Sequence, residues 1–180
     1  FPTRRSSDLE SSDHLTEILV TLSENDIDFI VCGGVALVLQ GVERLTMDID
    51  LSVDLNENNL RKFLTAMNRL GLKPRAPVPA ESLLDPAARK IFVEEKNALV
   101  FTFHDPETPF RQVDFFIADS LCFAALKHDA EVIAIGNHPI KVLTRSKLLE
   151  LKLAVSPPRE KDLFDIQILR KLLEKKGAGE

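Results

Sequence analysis

Residues 29–54, FIVCGGVALVLQGVERLTMDIDLSVD, constrain this chain more than any other stretch. An apolar run meets Gly33-Gly34, a short apolar segment follows to Gln40, a loop carries Arg44, and a second apolar run is broken by Asp48 and Asp50. The pattern predicts strand, tight turn, helix, loop and strand. On the second strand alternate side chains share a face and each residue advances about 3.3 Å, so Asp48 and Asp50 point the same way with Cα atoms roughly 6.6 Å apart. Two carboxylates so placed can hold a divalent cation between them. Gly33 and Gly34 lack a Cβ, which lets a phosphate reach backbone N–H groups where the strand turns into a helix N-terminus.

The rest of the chain supplies the layers such a strand pair needs. A helix from Ser12 is signalled by Asp13 as cap and by Leu15, Ile18, Leu19 and Leu22, and ends at Asn25-Asp26. Asn56 caps a second helix with the stripe Leu60, Phe63, Leu64, Met67 and Leu70, closed by Gly71. Residues 72–97 hold Pro74, Pro77, Pro79 and Pro86 and read as an insertion with one or two short helices, placed to line the mouth of a site. Strands follow over 99–104 and 112–117. The second sets Asp114 among Val113, Phe115 and Phe116, an expensive place for an acid unless something pairs with it. A hairpin over 132–142 turns at Gly136-Asn137. Helices over 145–155 and from Arg159 are separated by Pro157-Pro158, the last expected to turn Leu163, Ile166, Leu169, Leu172 and Leu173 inward.

Gly33, Gly34, Ala36, Gly41, Arg44, Thr46 and then Asp48-Ile49-Asp50-Leu51 resemble the hG[GS]…Dh[DE]h pattern of the nucleotidyltransferase superfamily that includes DNA polymerase beta. Within it the chain is most similar to the AbiEii-type toxins and the minimal nucleotidyltransferases of bacteria. The run from Lys152 to Leu169, KLAVSPPREKDLFDIQIL, is similar to the tail of AbiEii-like proteins, where a lysine and an Arg/Lys-Asp pair lie near the nucleotide. Many minimal members carry Ser where Gly34 stands and a longer basic helix start, a departure that leaves room for different phosphate handling. The resemblance implies an α/β (α+β) fold: a small mixed sheet with helices on one side, a core over 10–143 and a helical extension of the same domain over 144–180. It also implies Mg²⁺ on Asp48, Asp50 and a third carboxylate, Asp114, and transfer of a nucleoside monophosphate from an NTP to an acceptor hydroxyl. Gly33, Gly34, Arg44 and Lys152 are the candidate nucleotide contacts.

Each of those assignments has a plain structural alternative. Asp48 and Asp50 could lie on a polar edge strand, Asp114 could pair with Arg44 or Arg111, Arg44 could cap the helix it follows, and Lys152 could be a solvated helical lysine. Thr46 reads as structural, and Cys32, in an apolar strand, reads as packing rather than a nucleophile. His14, His104, His128 and His138 show no ligand spacing, and no GxSxG elbow is present.

Bulk properties limit the function classes. With 44% hydrophobic and 28% charged residues the chain reads as one globular domain, and no apolar run approaches the length of a membrane span. Neither a charged-then-apolar leader nor cysteines at metal spacing appear, so a bacterial cytoplasmic location is expected. Residues 1–9, FPTRRSSDL, resemble an in-frame translation of a sequencing adapter and are set aside as a non-native scar, so the native start is expected near Glu10 or missing.

Residues 141–180 hold ten Lys/Arg against six Asp/Glu, whereas residues 1–140 hold thirteen against twenty-two. A basic tail on an acidic body suits a polyanionic acceptor such as tRNA, or is a solvated helix face. A protein or small-molecule acceptor is equally compatible, as is a toxin or antitoxin partner. The rival reading is a catalytically weak nucleotide- or partner-binding module of a toxin–antitoxin pair, with no membrane role in either case.

Overall fold

The apolar run before the glycines forms β1, Phe29–Cys32, with all four residues buried. A computed structural model describes residues 6–96, 98–108 and 110–177. In chain order, α1 (Ser6–Glu24) precedes β1, and α2 (Gly33–Leu39), β2 (Asp48–Val53) and α3 (Glu57–Arg69) follow it. Then come β3 (Lys73–Pro74), a 3-10 turn (Ala80–Leu84), α4 (Pro86–Lys96), β4 (Val100–His104), β5 (Gln112–Phe116) and the short α5 (Phe123–Leu126). The hairpin β6 (Ala130–Ile135) and β7 (His138–Leu143) leads into α6 (Arg145–Leu153) and α7 (Glu160–Gly177). Of the stretch read as a scar, residues 1–5 lie outside the described residues, and α1 begins at Ser6 rather than at the expected Ser12.

The strands form one seven-stranded sheet in the order β3-β4-β5-β2-β1-β7-β6. β2 runs parallel to β5 and β1 parallel to β7, while the other neighbours are antiparallel, so the sheet is mixed. β2 is therefore central, which excludes the edge-strand alternative for its aspartates. Alternation then sorts the two faces. Ile49, Leu51, Val113, Phe115, Phe101 and Phe103 share one face and are buried. α3 lies on them, its Phe63 ring meeting Phe103 edge-on at 5.9 Å and Phe115 at 5.3 Å. The α3 cap is as expected: the Asn56 side chain accepts from the Asn59 N–H, and Gly71 takes φ +74° just past the helix end.

The insertion expected over residues 72–97, described to Lys96, departs from its expected place at the mouth of the site. The Phe92 ring of α4 packs at 6.2 Å on Phe101, which places α4 on the aromatic face, away from the carboxylates. An apolar Phe92 is stabilised by that face, whereas the face with the acids offers it nothing. Only the start of the segment reaches the acid side: the Arg75 N–H bonds the Thr102 carbonyl, extending the β3 edge by one residue.

The second face carries Asp48, Asp50 and Ser52 on β2 and Asp114 on β5. α5 touches β1 and β2, and the hydroxyl of buried Ser52 donates to the Leu121 carbonyl at 2.8 Å, so helical chain lies against both faces. The C-terminal helices also depart from the expected stripe. Ile166 and Leu169 are buried, but Leu163 is 49% exposed and the inward positions beside them belong to Asp162 and Asp165. Spacing explains it: 162, 165, 166 and 169 are one helical face, and the two acids hold it because cations wait opposite.

Candidate active site

Backbone pairing alone lines up the central groups. Asp50 sits opposite Cys32 on β1 and opposite Asp114 on β5, and Asp114 sits opposite Thr102 on β4. Paired residues share a face, so Cys32, Asp50, Asp114 and Thr102 form one row across the sheet, with Asp48 and its partner Gln112 as the next row. Asp48 is exposed, and Asp50 and Asp114 are half-buried. Burial pushes the Asp50 carboxyl up to about 6; the charges of Asp114 and Asp48 add to this, while the Gly34 N–H and Lys152 oppose it. Asp114 is also raised, chiefly by burial, against a lowering hydrogen bond from Thr102.

Neither Arg44 nor Arg111, the alternative partners for Asp114, pairs with it; Arg44 is engaged by Asp165. Arg111 spends its guanidinium on Glu17, Asp105 and the Leu70 carbonyl. Asp114 instead accepts from the Thr102 hydroxyl at 2.6 Å and from Gln112 Nε2 at 3.4 Å, and Arg75 Nη2 donates to Gln112 Oε1 at 2.7 Å. Thr102, Gln112 and Arg75 were not expected at the site from sequence. A signal was present for Gln112, which shares the face of Asp114 two residues on.

The glycines close the other side. Gly33 takes φ +55°, and a Cβ there would run into the Asp50 carboxylate, while one at Gly34 would meet the Thr46 hydroxyl. A side chain at Gly33 would thus fill the space beside Asp50, and one at Gly34 the space between Thr46 and Arg44. The Gly34 N–H points to Asp50 Oδ2 at 3.4 Å, and Arg44 Nη2 stands 3.7 Å from where a Gly34 Cβ would be. Cys32 ends β1 beneath this turn, 1% exposed, its thiol pushed far up by burial. That excludes a thiolate nucleophile at neutral pH and bears out the packing role.

Arg44 and Lys152 are close to the acids but are not free. Arg44 Nη1 pairs with Asp165 at 2.7 Å; Lys152 Nζ lies 2.6 Å from Asp162 and 2.9 Å from Asp165. Arg159 is the third cation of the group and pairs with Asp162 at 2.7 Å. Asp162 and Asp165 are buried, and Arg159 and Lys152 together hold Asp162 well below the usual carboxylate range. This knot ties the loop after α2 to α6 and α7, and it stands near enough to Asp50 for the Lys152 charge to act there.

The oxygen-only donor set of Asp48, Asp50 and Asp114 suits a hard cation such as Mg²⁺. Among the described residues no three His, Cys, Asp or Glu side chains converge as a metal centre, because Asp50 turns to Gly34 and Asp114 to Thr102. The acids thus stand side by side on adjacent strands, and side-chain rotation is what would bring them onto one ion. Crowded carboxylates held above their usual range have the electrostatics of a site that a cation would relieve.

A mixed sheet with paired glycines at a strand–helix turn and aspartates on the next strand is the arrangement of nucleotidyltransferases. Three solved structures share the fold. The lincosamide antibiotic adenylyltransferase LnuA, lincomycin-bound, is 16% identical, with 89% of this chain and 96% of that chain covered at a TM-score of 0.59. ANT(2")-Ia in complex with adenylyl-2"-tobramycin is 14% identical over 92% and 90% at 0.57, and a putative nucleotidyltransferase from Thermotoga maritima is 14% identical over 92% and 94% at 0.52. At these identities the likeness is one of fold. No curated protein matches the sequence. The family described as nucleotidyl transferase AbiEii toxin, type IV toxin–antitoxin system, matches residues 17–178, and the chain belongs to it.

Proposed function

We propose that the chain is a Mg²⁺-dependent enzyme that moves a nucleoside monophosphate from an NTP to an acceptor hydroxyl, as the toxin of a toxin–antitoxin pair. The observation that carries this reading is the register of Asp50 against Asp114 on one sheet face, with Gly33-Gly34 packed against the first of them. Asp48, Asp50 and Asp114 would hold the ion, which when bound supplies neutralisation of the triphosphate and a lowered acceptor pKa. Thr102 and Gln112 orient Asp114 through its two oxygens. The backbone N–H groups of Gly33 and Gly34 would meet phosphate oxygens once the Asp50 carboxylate turns away from Gly34. Arg44 and Lys152, held by buried acids, would present a fixed positive edge to the triphosphate rather than mobile point charges.

For the acceptor we favour nucleic acid such as tRNA, supported by exposed Lys161, Arg170, Lys171 and Lys175 on α7. Among the described residues no helix is long and apolar enough to cross a membrane, in keeping with a cytoplasmic setting. The test is incubation with labelled NTPs, Mg²⁺ and total tRNA, protein extract or aminoglycosides in parallel. Labelled tRNA, absent with Asp48→Asn, is the expected result; label in only the protein or small-molecule arm would move the acceptor, and no label in any arm would overturn the reading.

A further inference from the structure

The two edges of the sheet are built differently. β3 is two residues long, ends in Pro74 and runs into Arg75, Pro77 and Pro79, features that block another strand from adding there. β6 at the other edge is six residues, AEVIAI, with neither proline nor lysine, and among the described residues no strand or helix lies along its outer side. Val132 is 65% exposed, and Ala134 is exposed as well.

The direction of the free backbone groups on β6 follows from its pairing with β7. Asp129 accepts from the Thr144 N–H at 2.8 Å, and the ladder continues through Glu131↔Val142 and Ile133↔Ile140 to Ile135↔His138 at the two-residue turn. Residues that exchange bonds alternate along an antiparallel ladder, so the odd-numbered residues bond to β7. Ala130, Val132 and Ala134 then aim N–H and C=O groups outward. The one charged side chain of β6, Glu131, is engaged on the molecule itself, accepting from Gln40 Nε2 at 2.7 Å.

We propose that this edge pairs with the same edge of a second copy, antiparallel about a two-fold axis through Val132. A two-fold perpendicular to the sheet keeps each face continuous and pairs residues of equal parity, so the outward-facing set can meet only its own kind. Centring on Val132 sets Val132 against Val132 and Ala130 against Ala134, which closes about six backbone hydrogen bonds. Glu131 then falls opposite Ile133 of the second copy, so no like charges face each other. The strand is self-complementary in shape, charge and hydrogen bonding, which is what an isologous interface requires. The carboxylates stay clear of it, because β1 and β7 lie between β2 and the edge.

The register makes the proposal testable in the full chain. Opposed hydrogen-bonded Cα atoms are about 5.5 Å apart, so Val132→Cys is expected to give a disulfide-linked dimer under mild oxidation. Ala134→Cys, whose copy stands four residues away at roughly 13 Å, should not. Sedimentation at about 50 µM should show a dimer for the parent and a monomer for Val132→Pro, whose lost N–H is not used by β7. Val132→Lys, which sets two cations face to face, should also be monomeric with an unchanged circular dichroism spectrum. A monomeric parent, a dimer that survives both substitutions, or Ala134→Cys linking as readily as Val132→Cys would overturn it.

Discussion

Three aspartates on β2 and β5 and two on α7 lie close enough to share a field, yet their electrostatics run in opposite directions. Asp50 and Asp114 sit among other acids, receive no direct cation and are held above the ordinary carboxylate range. Asp162, more deeply buried, is held below it because Lys152 and Arg159 press on it; Asp165 is buried against Lys152 and Arg44. Burial alone would have raised Asp50, Asp114 and Asp162 alike. The difference teaches that the strand acids are left in deficit of positive charge while the helix acids have been satisfied from within the chain. On this account the first group waits for a ligand and the second holds the scaffold around it.

Substitutions should separate the two groups most strongly. Asp48→Asn is expected to lower nucleotidyl transfer by about a thousandfold or more while the melting temperature stays within a few degrees of the parent. Unfolding at room temperature would instead make Asp48 structural. Asp165→Ala should do the reverse at the scaffold, leaving Arg44 buried without its counter-charge and Lys152 with Asp162 alone, at a cost of about 3 kcal/mol. That corresponds to a loss of roughly 10 °C in melting temperature, read by calorimetry. A variant as stable as the parent would dissolve the distinction.

Acid titration sharpens the same comparison. Asp50, raised to about 6, binds protons more readily folded than unfolded, so metal-free stability should rise as pH falls from 7 toward about 5, by no more than about 3 kcal/mol from this group. Asp50→Asn should be more stable than the parent at pH 7 and lose that rise. Asp162 has the opposite sign: its contribution is present above the ordinary carboxylate range and is lost as pH falls below it. A stability profile flat between pH 7 and 5 in the parent, or unchanged in Asp50→Asn, would contradict the assignment. The smallest effect is expected in the tail. Arg159 is committed to Asp162, so Arg159→Gln with Lys161→Gln should reduce the salt slope of RNA binding by about one rather than two. A larger change would show Arg159 leaving the knot to meet RNA.

Much of the strand-acid group was legible in the sequence, and little of the knot was. β1, β2 and α3 follow from short-range signals: an apolar run, alternation around Asp48 and Asp50, and an Asn cap with a Gly stop. Such signals act within a few residues and survive tertiary packing. For α7 the resemblance set a lysine and an Arg/Lys-Asp pair near the nucleotide, but nothing in the sequence marked Asp165 as buried, because i, i+3 acids on a helix are usually solvated. Asp165 is paired with Arg44, more than a hundred residues earlier, and no local pattern announces a pairing of that range. Thr102 escaped for the same reason, since its role exists only once β4 and β5 are in register, whereas Gln112 meets Asp114 from two residues away on the same strand. α4 failed differently: its helix was readable, but which face Phe92 would cover was not.

The central claim is that the strand acids lack a positive charge that a divalent cation supplies. Isothermal calorimetry of the full chain with NTP, in Mg²⁺ buffer and in EDTA, tests it most directly. The account predicts binding in Mg²⁺ that falls by at least about tenfold in EDTA and that Asp50→Asn weakens in Mg²⁺ but not in EDTA. Equal affinity in the two buffers, with Asp50→Asn indistinguishable from the parent in both, would contradict it.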